Sequence, residues 1–200
     1  MTIPQGAKQR WSLDFVSDAF SDGRRFRILT VVDDFTRECL CLVSDTSLSG
    51  QRVTRELHTI AMVRGLPAAI VSDNGTELTS VAMLKWSQDR GVEWHYIAPG
   101  KPTQNAFIES FHGRLRDELL NETLFRSLPH ARQALADWKQ DYNTLRPHSR
   151  LGNLAPEIYA KLSAPVIQRE GALRSPGGFA PLPVAQPSQT GSNEERILLS

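Results

Sequence analysis

Residues 10–44, RWSLDFVSDAFSDGRRFRILTVVDDFTRECLCLVS, change direction twice without leaving the two-residue period of a strand. Trp11, Leu13 and Phe15 alternate with Ser12, Asp14 and Val16, so each set lines one face. DGRR at 22–25 marks a turn, FRILTVVDD at 26–34 is a β-branched second strand, and ECLCLVS at 38–44 is a third. Strands joined this closely predict an antiparallel meander. Cys39 and Cys41 stand two apart in an apolar run and are expected on one face of the third strand, as core residues. A metal site needs more ligands than this pair offers.

Beyond the meander the period changes. In SLSGQRVTRELHTIAMVRGLP (47–67) Val53, Leu57, Ile60 and Ala61 recur at helical spacing, and Gly65 and Pro67 end the helix. AAIVS (68–72) is apolar throughout, as a strand buried on both faces would be. A helix over 79–90 stops at Gly91, and VEWHYI (92–97) is a fifth strand. After the loop APGKPTQ comes a helix in which Ile108, Phe111, Leu115 and Leu119 form an apolar stripe. A last helix over 128–145 carries Ala131, Leu135, Trp138 and Tyr142 on one face. Three strands, helix, strand, helix, strand, helix predict an α/β domain with a mixed five-stranded sheet flanked by helices.

Glu109 adjoins Ile108 at the margin of the buried stripe, where a carboxylate costs several kcal/mol unless a cation offsets it. Two further acids qualify as companions. Asp14 is mid-strand on the less apolar face of the first strand, and Asp73 ends the fourth strand in IVSDNG, at the edge where open α/β sheets place their sites. Carboxylates held together resist ionising unless a divalent cation lies between them, and hard oxygen donors suit Mg²⁺ or Mn²⁺. Two such ions can clamp the attacking and leaving oxygens of a phosphoryl displacement. Taken singly, each acid has an ordinary reading: turn chemistry for Asp73 beside Asn74 and Gly75, strand surface for Asp14, a helix ion pair for Glu109.

The 200 residues, 40% hydrophobic and 22% charged, describe one globular domain with a tail. A net charge of +1 neither advertises nor excludes a nucleic-acid partner. No apolar run has the length of a membrane span and MTIPQGAKQR has no apolar leader core, so a cytoplasmic protein is expected. Residues 163–200 hold nine Pro or Gly and one aromatic, Phe179, and predict a flexible tail behind a core of residues 10–162 and a lead of residues 1–9.

Five motifs in order, WSLDF, VVDDFTRE, SDNGTE, PGKPTQNAFIESFHGRLRDEL and YNTLRPHSRLGNLAPEIY, resemble the integrase-type catalytic core of bacterial insertion-sequence transposases, the IS-three family in its second reading frame. The resemblance runs from about Arg10 to Leu162, with 58 residues between Asp14 and Asp73 and 35 between Asp73 and Glu109, as in the Asp-Asp-Glu triad of that family. It implies an RNase H-like fold, with Asp14, Asp73 and Glu109 as metal ligands for Mg²⁺ or Mn²⁺, expected as two ions. It also implies a basic residue seven positions after the glutamate, here Arg116. Lys101, Asn105 and Arg114 are the other expected DNA contacts; each also has an ordinary surface or helix-start reading. Glu77 is the one decoy carboxylate, and Leu78 and His112 stand where the family commonly has phenylalanine and asparagine.

The activity implied is metal-dependent DNA strand cleavage followed by strand transfer, on double-stranded DNA, by a homo-multimer. Relatives add an N-terminal recognition region, often with an upstream-frame helix-turn-helix partner. Only nine residues precede the first strand here and no His-His-Cys-Cys zinc module is present, which reads as an isolated core, a fragment or an inactive copy. The rival readings are a plain RNase H-like nuclease and a catalytically silent DNA-binding remnant that regulates an intact transposase.

Overall fold

The structure, a computed structural model, describes residues 3–98 and 105–164. Strands β1 (Arg10–Ala19), β2 (Arg25–Asp33) and β3 (Cys39–Asp45) form the expected meander. Helix α1 (Gly50–Arg64) crosses to β4 (Ala69–Ser72), and α2 (Val81–Arg90) to β5 (Glu93–Tyr96). The sheet runs β3-β2-β1-β4-β5, antiparallel on the meander side and parallel where β4 and β5 add to β1. Helices α3 (Ala106–Leu115), α4 (Leu128–Thr144) and α5 (Pro156–Ser163) complete the order. This is the mixed, helix-flanked sheet of the RNase H-like integrase core fold. No helix of the described residues is long and apolar enough to cross a membrane.

Local chemistry sets the boundaries. Ser49 caps α1 by accepting from the Arg52 N–H, and Ser127 does the same for α4 from His130. Gly91 ends α2 in the left-handed region at φ 64°, which costs a residue without a Cβ nothing. Strand alternation then splits the core in two. Trp11 and Leu13 pack with Val53, Leu57 and Met83 of α1 and α2 on one face. Val16 packs with Ile108, Phe111, Leu135 and Trp138 of α3 and α4 on the other. Asp14, in phase with Val16, therefore points toward α3.

Two expectations are corrected. Cys39 and Cys41 lie on opposite faces: Cys39 belongs to the α3/α4 core and Cys41 to the α1/α2 core. The register slips between Val31, paired with Cys41, and Val32, paired with Cys39, so Leu40 is an extra residue in a bulge that inverts the alternation. The stripe on α3 also ends differently. After Leu115 the chain winds into a π-helical turn, Arg116–Leu120, closed by the Asn121 N–H on the Arg116 carbonyl at 2.9 Å. The wider turn rotates the apolar face by one position, so Leu120 is buried while Leu119 is only partly covered. Helix α5 was not anticipated as an element. Of the tail expected over 163–200, everything from residue 165 lies outside the described residues, as does Lys101.

Candidate active site

Asp14 sits at the centre of the sheet, opposite Thr30 of β2, with its side chain 22% exposed. Its Oδ1 accepts from the Phe15 N–H at 2.7 Å. Burial raises its pKa from 3.8 to about 6; the Phe15 N–H works against that rise, and the charges of Asp73 and Glu109 add to it. Asp73 follows β4 directly and Glu109 lies in the first turn of α3, so the parallel crossover and the helix behind it bring both acids within electrostatic reach of β1.

The three acids do not close on one another. Asp73 and Glu109 are exposed, and Asp73 spends its Oδ1 on the Gly75 N–H at 3.0 Å, the turn contact that its neighbours suggest. Among the described residues no group of three His, Cys, Asp or Glu side chains stands close enough to hold a metal ion. The donor chemistry nevertheless fits a hard divalent cation. All three groups offer carboxylate oxygen, and burial, with the charges of Asp73 and Glu109 adding to it, disfavours the ionised form of Asp14, a cost that such a cation would offset.

His112, at the position where asparagine is the common residue, stands against Asp14. Its Nε2 is 2.7 Å from the Thr30 hydroxyl, and its Nδ1 is 3.6 Å from Asp14 Oδ2. The Thr30 hydroxyl donates to the Asp14 carbonyl, so it accepts from His112, which places the ring proton on Nε2. Burial, reinforced by the charge of Arg116, lowers the His112 pKa to about 4, so the ring is neutral at pH 7. Its spacing from Glu109, one turn on, was the available signal; its register against Thr30 was not legible.

The remaining candidates divide. Arg116 is exposed, close enough to depress His112, and forms no ion pair among the described residues. Arg114 projects from the other flank of α3, where Nη1 donates to His148 Nδ1 at 3.4 Å. Asn105 caps α3 in position but not by a side-chain bond; it is buried, with its Oδ1 unpartnered among the described residues. Glu77 is engaged by Arg27 in an ion pair, which accounts for it without catalysis.

Two family models, each described as integrase core domain, match residues 4–102 and 90–156. The uncharacterized 31.7 kDa protein of insertion element IS407 from Burkholderia multivorans is 51% identical over 160 residues, covering 80% of this chain and 58% of its own length. The chain spans about half the length of the curated relatives it matches. Among solved structures, the simian T-cell lymphotropic virus intasome in complex with a PP2A regulatory subunit aligns with TM-score 0.69 at 16% identity, over 96% of this chain and 63% of that one. The HTLV-2 integrase catalytic core domain in complex with magnesium aligns with TM-score 0.63 at 16% identity, over 78% of this chain and 98% of that one. These structural likenesses bear on the fold alone. With two matches in tandem from residue 4 to residue 156 and insertion-element proteins as relatives, the chain belongs to the integrase core domain family.

Proposed function

We propose that residues 10–162 are the catalytic core of an insertion-element transposase that cuts and joins DNA with a divalent metal, and that Asp14, Asp73 and Glu109 hold that metal as Mg²⁺ or Mn²⁺. The observation that carries this reading is the half-buried Asp14 on the central strand, raised to about 6 by burial with Asp73 and Glu109 adding to the rise. Perturbed acids of this kind cluster where chemistry is done. The bound ion would supply Lewis-acid stabilisation of the charge on the reacting phosphodiester.

The protein's own groups have separate tasks. Asp14 is fixed by the Phe15 N–H and by the sheet, giving a rigid anchor on β1. Thr30, held by neutral His112, donates to the Asp14 carbonyl and so keeps that backbone in place without adding a competing cation. Glu109 and Asp73 come from separate elements and complete the donor set. Arg116, seven residues after Glu109, lies about 10 Å along the helix at 1.5 Å per residue and meets DNA phosphate beside the reacting bond. Hydrolysis of a phosphodiester at an element end frees a 3′-hydroxyl, and in-line attack of that hydroxyl on target DNA breaks one phosphodiester as it forms another. No ATP and no covalent protein intermediate is required. The partners are double-stranded DNA, further copies of this chain, and an upstream-frame helix-turn-helix protein.

The test is cleavage and joining of end-containing duplex by the purified chain in Mg²⁺ or Mn²⁺. Asp14→Asn, Asp73→Asn and Glu109→Gln are each expected to abolish both steps, while Glu77→Gln retains most activity. Near-normal turnover in any one of the three would remove that residue from the ligand set. Cleavage without joining would favour a simple nuclease.

A further inference from the structure

Helix α3 has two flanks. Ile108, Phe111 and Leu115 bury its centre, Glu109, His112 and Arg116 follow one edge, and Phe107, Ser110 and Arg114 follow the other. Along that second edge lies a cavity of about 610 Å³, bounded also by Arg37 of the β2–β3 turn and by residues 148–150. None of the described residues lining it is acidic, and four are arginines. Arg10 is engaged by Asp34, which also takes the Ser12 hydroxyl. Asp33, the other acid of that turn, accepts the N–H groups of Phe35 and Thr36. Both local carboxylates are thereby engaged, Asp34 by β1 and Asp33 by the turn.

Arg37, Arg114 and Arg150 hydrogen-bond no carboxylate among the described residues. Arg37 lies over the Phe107 ring at 3.8 Å, in a backbone conformation with φ 63° that non-glycine residues seldom adopt. Burial lowers its pKa; the charge of Asp34 opposes that, and the like charge of Arg150 adds to it. Gathering three guanidinium groups round one cavity is a Coulombic cost that an anion would remove.

His148 supplies an independent observation. It is 5% exposed, packed edge-on against Tyr142 at 4.8 Å, and it lines the cavity. A guanidinium can only donate, so Nδ1 accepts from Arg114 and the ring proton of the neutral histidine is on Nε2. That buried Nε2–H has no partner among the described residues, an omission that a protein interior penalises. An unmet donor beside guanidinium groups that no carboxylate among the described residues engages has the polarity of a site for an oxyanion.

We propose that this cavity is a phosphate-binding site, in which the guanidinium groups of Arg37, Arg114 and Arg150 and the Nε2–H of His148 donate to phosphate oxygens. Guanidinium forks match the spacing of phosphate oxygens two at a time, and stacking on the Phe107 ring orients the Arg37 fork. The phosphate comes either from a DNA backbone or from a free phosphate compound. In both cases the site stands on the opposite flank of α3 from the carboxylates, so the helix would lie between two phosphate-handling faces.

The experiment uses the full chain, ¹⁵N-labelled at histidine, in EDTA, titrated with pyrophosphate. Of the five histidines, His148 is expected to show a saturable shift at Nε2. Arg150→Gln, at an exposed position, and Arg37→Gln are each expected to weaken binding about ten- to hundredfold, the loss of one charge-assisted hydrogen bond. Glu109→Gln is expected to bind pyrophosphate as the wild type does. A short duplex titrated across a salt series separates the two sources. A slope reduced by about one unit in Arg150→Gln supports a DNA phosphate. An unchanged slope, with pyrophosphate binding retained in the wild type, supports a free phosphate compound. The proposal is overturned if neither probe moves His148, or if both arginine variants bind pyrophosphate like the wild type. Because metal and carboxylates take no part, a chain that cleaves no DNA can still pass this test.

Discussion

Asp14 is held in a place that disfavours its charge, and that has a measurable sign. Its folded pKa, raised from 3.8 to about 6, means that between those values the native chain keeps a proton the unfolded chain has released. Stability therefore falls as pH rises through that window, and the loss persists above it. At 1.36 kcal/mol per unit the ceiling is about 3 kcal/mol, and partial solvent contact brings the value below it. Asp14→Asn is thus expected to be more stable than the wild type at pH 7 and equal to it near pH 3, as read by urea unfolding at both values. A variant less stable at pH 7 would mean that the carboxylate is already compensated. Arg116 makes the complementary prediction. It forms no ion pair among the described residues, so Arg116→Ala should leave stability alone, weaken binding to every DNA sequence, and lower the salt slope by about one unit. An unchanged slope would take its charge off the DNA.

At the scale of elements, α3 was legible as far as its periodicity held. Ile108, Phe111 and Leu115 are buried as their spacing requires, and so are Ala131, Leu135, Trp138 and Tyr142 of α4. Extrapolating one more step chose Leu119, and the π-helical turn moved the burial to Leu120. No local propensity announces a five-residue turn; packing against α4 selects it. Leu120→Ala is accordingly expected to cost about 2–3 kcal/mol, and Leu119→Ala distinctly less, in chemical denaturation of the two variants. Equal losses would mean that the helix continues in ordinary α geometry. The bulge in β3 escaped for a related reason: alternation within one strand carries no record of how its partner is registered. His112 is the same case in the candidate site, since its contact with Asp14 depends on where α3 crosses β1 and β2.

For the whole molecule, the order of strands and helices along the chain followed from sequence because each element was strongly patterned, whereas the pairing of β4 with β1 came from the structure. Alternation set Asp14 on the face opposite Trp11 and Leu13, and the structure puts α3 over that face. What sequence could not supply was the distance between acids carried on three elements, and here they remain apart. Metal binding would tie the end of β4 and the start of α3 to the middle of β1, so it should be visible as stability. With Mn²⁺ at 100 times its dissociation constant, about 2.7 kcal/mol of stabilisation is expected, lost in Asp14→Asn and reversed by chelation. Thermal melts with and without the ion measure it, and coincident curves for the wild type would count against a carboxylate metal site.

The bulge that parts Cys39 from Cys41 also gives the protein a pair of chemical clocks. Two thiols with a single residue between them in sequence are held on opposite sides of a sheet, so no disulfide can join them in the native state. Burial pushes the Cys41 thiol up to about 12 and that of Cys39 higher still, which leaves neither as the thiolate that an alkylating reagent attacks. Each sulfur becomes reactive only when its own layer opens: Cys39 when α3 and α4 lift, Cys41 when α1 and α2 do. The relative speed at which the two are labelled therefore reports whether the two halves of the core come apart together or one before the other, without any engineered probe.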